Sequence, residues 1–148
     1  MLEPDALAAL AARYGIGETL TGQVLIVDDD LGNLDVLRAF LDADYVVHEA
    51  RSAEIALKLL EVERFDVIVC DQRMPGMTGI DMLAVVRERY PDVAGILLTA
   101  YTDTPVLVDA INRARVFRHM HKPWEPEDLL GAVAQHVREV DGLLLQRE

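Results

Sequence analysis

From Gln23 onward the chain alternates between two hydrophobic periods. Short apolar runs at Val24 to Val27, Tyr45 to Glu49, Asp66 to Cys70, Gly95 to Thr99 and Phe117 to His121 are separated by stretches whose apolar side chains recur every three or four residues. Runs this short suit strands, and the intervening period is that of amphipathic helices. The pattern predicts five strands, with helices over about 32–43, 52–63, 78–89, 104–114 and 126–147. Local chemistry supports the helix starts. Ser52 stands where it can cap the amide of Ile55, Thr104 precedes Pro105, and Glu125-Pro126-Glu127-Asp128 makes an acidic first turn. The first, third and fourth runs are continuously apolar, as in strands covered on both faces of a parallel sheet. A strict alternation of strand and helix then gives an α/β domain with a doubly wound five-stranded parallel sheet, for which the expected strand order is 2-1-3-4-5.

Ahead of this unit, Leu7, Leu10, Ala11 and Tyr14 share one face of a predicted short helix over 4–14, opened by Pro4 and closed by Gly15. The expected organisation is a helical extension over 1–21, one domain over 22–140, and over 141–148 a helical continuation, or a linker where an output domain follows, so that a stand-alone domain and a domain joined to an output unit both stay open. In the last helix Leu130, Val133, Val137, Val140 and Leu144 recur at heptad-like spacing, so its first half packs on the sheet and its second half can continue as a coiled coil, weakened by Gly142.

Composition narrows the function classes. Of 148 residues, 51% are hydrophobic and 27% charged, the balance of a soluble globular domain, and no apolar stretch approaches the roughly 20 residues of a membrane span. Fourteen basic against 26 acidic residues give a net charge of −12, which repels phosphate backbones and anionic lipid, so neither direct nucleic-acid binding nor membrane binding is expected. Cys70 is the single cysteine, which excludes an intrachain disulfide, and Met1 to Asp5 lacks the basic start and apolar core of a secretory signal. A cytoplasmic location is expected.

In open sheets of this kind the ligand site lies beyond the carboxyl ends of the strands, where the strand order reverses. Those ends carry Asp28-Asp29-Asp30, Asp71, Thr99-Ala100 and Lys122-Pro123, while the second strand, at the outer edge, supplies Ala50-Arg51-Ser52. Crowded carboxylates are relieved by an oxygen-liganded cation, for which Mg²⁺ is the natural candidate. A metal beside a hydroxyl and an ammonium can stabilise a phosphoryl group in transfer, with one carboxylate as nucleophile. Two other signals carry less. Gly15-Ile16-Gly17 with Gly22 lacks the strand and the lysine-hydroxyl pair of a phosphate loop. His119 and His121, two apart on one strand face, are placed to share a metal, but with no acidic or cysteine partner adjacent in sequence they read as buried or switching residues.

Four segments in order, Val24-Leu25-Ile26-Val27-Asp28-Asp29-Asp30, Asp66 through Gly79 with its Asp71-Gln72-Arg73-Met74-Pro75-Gly76, Leu97-Leu98-Thr99-Ala100, and His121-Lys122-Pro123-Trp124, closely resemble the receiver domain of two-component response regulators, a flavodoxin-like fold. The resemblance spans about residues 22 to 140. It implies Asp71 as the acceptor of a phosphoryl group from a sensor histidine kinase or histidine phosphotransfer protein. Mg²⁺ would be held by Asp28, mainly through water, by Asp29 and Asp71 directly, and by the backbone carbonyl of Arg73. Thr99, the Ala100 amide and Lys122 would contact the phosphoryl group, and Pro123 would be cis. Thr99 would be the switch hydroxyl, and the switch surface would be the fourth helix, fifth strand and fifth helix, which with the C-terminal helix also offers a homodimer face. Catalysis would be limited to the domain's own phosphoryl transfer and slow autodephosphorylation. Two positions depart from the family's pattern. His119 stands where a switching Tyr or Phe is usual, and Arg73 and Tyr101 are bulky where the hydrolytic water would approach, which ties them to phosphoryl lifetime. Asp28-Asp29-Asp30 also resembles the opening of haloacid-dehalogenase-type phosphatases, with Asp28 as nucleophile and Asp30 as acid, but that reading leaves Asp71 unexplained.

Overall fold

A computed structural model describes residues 22–100 and 104–147, with side chains described through Val137. The extension predicted over 4–14 and Tyr101 lie outside the described residues, as do the side chains of Val140 and Leu144. Five strands, β1 (Gln23–Val27), β2 (Val46–Ala50), β3 (Val67–Asp71), β4 (Ala94–Thr99) and β5 (Arg118–His121), alternate with α1 (Leu31–Leu41), α2 (Ala53–Val62), α3 (Gly79–Arg89), α4 (Pro105–Ala114) and α5 (Pro126–Arg147). All pairings are parallel and the sheet order is 2-1-3-4-5, as the alternation predicts.

The pleat divides the core into two layers. Leu25, Val27, Ile68, Cys70 and Leu97 face α2, α3 and α4. Val24, Ile26, Val67, Val69, Ile96 and Leu98 face α1 and α5. Every residue of β3 is buried, whereas β2 exposes Val46 and Glu49 and β5 buries Met120 alone, which is why the outer runs read as mixed and the central ones as apolar. In α5 the residues that meet the sheet are Leu129, Ala132, Val133 and Val137, and Leu130 is only partly buried. The predicted stripe therefore sits one position off at its start, because two adjacent leucines satisfy the same period and the sheet selects the earlier one.

Caps set the helix boundaries. Asp30, Ser52, Thr78 and Thr104 each sit at an N-cap and accept from the backbone N–H three residues on. Two glycines shape the loop above β3. Gly76 has φ +79°, a turn conformation that L side chains avoid, and a Cβ on Gly79 would run into the backbone of Asp71 and come within 2.9 Å of Leu97. The start of α3 can therefore press directly on the end of β3.

Candidate functional site

Each expected site residue reaches the same edge of the sheet by a backbone route that can be traced. Asp71 is the last residue of β3 and Thr99 the last of β4, and these are buried to 7% and 2% exposure. Asp28 follows β1, its N–H donating to the carbonyl of Ala50 at 3.1 Å, and it too is only 2% exposed. The Lys122 N–H donates to the Thr99 carbonyl at 2.7 Å, which extends the β4–β5 pairing by one residue and delivers the lysine to the site. The Lys122–Pro123 peptide bond is cis.

Side-chain geometry then brings charge together. The Lys122 ammonium is ion-paired with Oδ1 of Asp71, and the other oxygen, Oδ2, accepts the backbone N–H of Arg73 at 3.1 Å. One carboxylate oxygen from each of Asp28, Asp29 and Asp71 lies within 4.8 Å of the others, a group able to hold a metal ion. Asp29 is exposed and the other two are buried, so a cation there would have a solvent side and a protein side. Burial pushes the Asp28 carboxyl above the usual carboxylate range, and the Asp71 charge pushes it further, against the opposing backbone N–H of Asp30, Lys122 and Asn33. Such a group is destabilised as an anion until a cation arrives.

The three acidic residues after β1 divide their work. Asp28 and Asp29 face the cluster, whereas Asp30 is turned to α1, accepting the Asn33 N–H at 3.1 Å. Two residues outside the expected set also contribute. Asn33 donates from Nδ2 to Oδ2 of Asp28 at 3.1 Å, while the Asp30 N–H holds Oδ1 at 3.0 Å, so both oxygens of Asp28 are oriented. Gln72 accepts the Ile80 N–H on Oε1 at 2.8 Å and accepts the Gly79 N–H on its carbonyl at 3.1 Å, which folds the loop after Asp71 back onto α3. Asn33 had a sequence signal, since it stands one helical turn beyond the Asp30 cap and so returns toward Asp28. Gln72 had none.

The remaining positions are accounted for as follows. Ala100 is exposed directly after β4, and Arg73 is exposed beside Asp71. His119 and His121 are both exposed, so the buried reading of these residues does not hold; β5 is the edge strand of the sheet. Nδ1 of His121 lies 3.4 Å from the Thr99 hydroxyl. Cys70 is fully buried, with its thiol pushed up by desolvation and by the Asp71 and Asp28 charges, and is a core residue without accessible redox chemistry. Trp124 lines a cavity of about 290 Å³ with Asp28, Asn33 and Lys122, and its ring meets Phe40 edge-on at 5.7 Å. Among the described residues no helix is long and apolar enough to cross a membrane.

Comparison with known proteins shows the family and the fold. The family model of the response regulator receiver domain matches residues 24–134. The chain is 42% identical over 120 residues to the hydrogenase transcriptional regulatory protein HoxA of Cupriavidus necator, covering 81% of this chain and 25% of that protein. It is 34% identical over 118 residues to the response regulator protein FleR of Pseudomonas aeruginosa, covering 79% and 25%. The chain thus spans about a quarter of the length of these curated relatives. The signal receiver domain of an HD domain-containing protein from Pseudomonas fluorescens Pf-5 superimposes with a TM-score of 0.75 at 33% identity, covering 80% of this chain and 95% of that one. The family match over most of the chain, with these relatives, shows that this chain is a member of the response regulator receiver domain family of two-component signalling.

Proposed function

We propose that Asp71 is the phosphoacceptor of this receiver, and that the phosphoryl donor is a phosphohistidine on a sensor kinase or histidine phosphotransfer protein. The observation that carries this reading is the Asp71 carboxylate itself, buried at the end of β3, paired with Lys122 and facing the Asp28–Asp29 acids. In the transfer an Asp71 oxygen forms the new O–P bond as the N–P bond to the donor imidazole breaks, and the departing imidazole takes up a proton. Asp28, Asp29 and Asp71, with the Arg73 carbonyl, are the residues that would hold Mg²⁺. Bound there, Mg²⁺ neutralises phosphoryl oxygens and lowers the repulsion between the incoming group and the acids.

The protein's own groups perform the rest. Lys122 is placed to exchange its Asp71 partner for a phosphoryl oxygen, the Thr99 hydroxyl and the Ala100 N–H donate to the same group, and Arg73 screens it from water together with Tyr101. Thr99 and His119 form the switch, acting on a surface of α4, β5 and α5 that also serves partner binding or homodimer formation. Residues 22–140 act as the receiver unit, 1–21 as a helical extension and 141–148 as a helical continuation of α5, or a linker where an output domain follows. The protein works in the cytoplasm and catalyses only its own phosphorylation and slow hydrolysis.

Acetyl phosphate with Mg²⁺, followed by borohydride trapping and peptide mapping, tests the assignment. Label on Asp71 is expected, and its loss in Asp71→Asn. Label on Asp28 would transfer the nucleophile to the phosphatase-like arrangement, and absence of label with every donor would make the domain an unphosphorylated interaction module.

A further inference from the structure

The Thr99 hydroxyl has a partner outside the expected set of site residues. The β4–β5 register sets Thr99 directly opposite His121, and Nδ1 of His121 lies 3.4 Å from the Thr99 hydroxyl. We propose that His121 is a positioning residue of the phosphorylation switch, holding the Thr99 hydroxyl toward β5 until a phosphoryl group on Asp71 draws it away. The proposal rests on the reading of Asp71 as phosphoacceptor, and it names the group against which the phosphoryl oxygen must compete.

Three observations carry it. The first is direction. Leu98 and Met120 are register partners that face the layer of α1 and α5, so the next pair along the strands, Thr99 and His121, projects to the other face, where Ile111 and Ala114 of α4 pack. The second is need. Thr99 is only 2% exposed, and a hydroxyl so deeply buried requires a hydrogen-bond partner. Among the described residues that partner is His121, whereas the Asp71 oxygens are taken by Lys122 and by the Arg73 N–H. The bond turns the hydroxyl toward β5 whichever group donates, because a hydroxyl and a ring nitrogen each fill either role. The third is strength. A separation of 3.4 Å lies beyond the roughly 2.7–3.2 Å of well-formed hydrogen bonds, so the hold is weak, and the charge-assisted bond to an anionic phosphoryl oxygen outcompetes it.

The exchange needs no movement of the strands. The Lys122 N–H keeps its 2.7 Å bond to the Thr99 carbonyl, and rotation of the Thr99 side chain between staggered positions carries the hydroxyl from one partner to the other. His121 then loses its Thr99 bond on the face of the sheet that carries α4, which couples the chemistry at Asp71 to that face.

The test uses trifluoroberyllate, a mimic of the phosphoryl group, titrated with saturating Mg²⁺ into the full chain and read by ¹⁹F NMR. His121→Leu keeps much of the bulk of the ring and offers no polar atom, so it is expected to bind the mimic about two- to tenfold more tightly than wild type, the worth of one net hydrogen bond that no longer has to be given up. His121→Asn, whose amide falls near the place of Nδ1, should restore the wild-type affinity. Mg²⁺ affinity without the mimic should be the same in all three proteins, whereas a merely structural role would move it as well. In the absence of metal and mimic, the melting-temperature shifts of Thr99→Val and His121→Leu should be coupled, the double variant losing less than the sum of the two. The His121 side chain is exposed, and circular dichroism verifies that the variants remain folded. Binding of the mimic by wild type with an unchanged or weaker affinity in His121→Leu, failure of His121→Asn to restore it, or fully additive melting shifts would overturn the proposal and leave the phosphoacceptor reading standing. No binding of the mimic by the wild type would overturn that reading, and the proposal with it.

Discussion

Replacing Asp28 by Asn should stabilise the domain in the absence of divalent metal, although it removes a buried, hydrogen-bonded side chain. The reasoning begins with the raised carboxyl of Asp28, caused first by burial and then by the Asp71 charge. At an effective dielectric of about 20, unit charges within 4.8 Å of one another repel by roughly 3–4 kcal/mol. Lys122, paired with Asp71, cancels much of this. Asparagine keeps an acceptor for the Asp30 N–H but gives up the charge assistance of that bond and of the Asn33 bond, a loss of about 1 kcal/mol. The net gain is on the order of 1 kcal/mol, or about 3 °C in melting temperature for a domain of this size. Its pH dependence has a definite sign. Between the ordinary value of 3.8 and the raised folded value, the native state binds more protons than the unfolded one, so wild-type stability falls as pH rises through that window. Asp28→Asn removes that slope, and its advantage should be complete at neutral pH and vanish in acid. Thermal melts in EDTA across pH, repeated with saturating Mg²⁺, measure both arms. Metal at 100 times its dissociation constant adds about 2.7 kcal/mol to whatever binds it, so the order of the two proteins should narrow or invert with Mg²⁺. A lower melting temperature for Asp28→Asn in EDTA at neutral pH would refute the reasoning and make the carboxylate a structural acceptor first.

Other expectations separate the groups around the acceptor. Asn33→Ala should weaken Mg²⁺ binding about tenfold by releasing Oδ2 of Asp28, while the melting temperature in EDTA changes little; the Trp124 fluorescence titration reads this, since that ring shares a cavity with Asp28. Lys122→Met should have opposite effects on two measurements, tightening Mg²⁺ by removing a competing cation and slowing labelling by acetyl phosphate at least tenfold. Arg73→Ala and Tyr101→Ala should each shorten the phosphoaspartate lifetime in Mg²⁺ without kinase, and a slower or unchanged decay in both would leave lifetime to the metal and Lys122.

What the sequence discloses here divides along a physical line. Strand order, the central place of β1, β3 and β4 and the gathering of Asp28, Asp71, Thr99 and Lys122 follow from periodicity and topology, because burying an apolar strand on both faces fixes its position and the ends of parallel strands lie on one edge. The helix caps were equally open to view, since Ser52 and Thr104 act on amides only three residues away. The pair contacts were harder to see. Asn33 could be inferred from the helical turn that returns it to Asp28, but Gln72 reaching Ile80 depends on the path of an irregular loop that no period encodes. Leu129 and Leu130 show the same limit inside a regular element, where two neighbours fit one stripe and only the sheet decides between them.

The contrast between the anchored acceptor and its surroundings bears on how a small chemical event is transmitted. Asp71 stands on a strand buried along its whole length, and the loop after it is tied down by Gln72 and Gly79, so little there can yield. Thr99 and Lys122 are joined through a backbone bond of 2.7 Å, which leaves their side chains rather than their main chain to respond to a new phosphoryl group. Beyond them α4 buries only Ile111 and Ala114, while Val106 and Val108 are exposed, and β5 buries Met120 alone among its four residues. A helix held by two buried side chains, one of them an alanine, with Leu107 and Ala110 only partly buried against the core, would be displaced for several kcal/mol, which is the scale of two charge-assisted hydrogen bonds to a phosphoryl group at about 1.5–3 kcal/mol each. Helix α3, with five buried residues, would demand far more. If Asp71 is phosphorylated as proposed, the face formed by α4 and β5 is the part of this fold that the new group would have enough free energy to move, and an unphosphorylated minority in the moved state would follow from the same small difference.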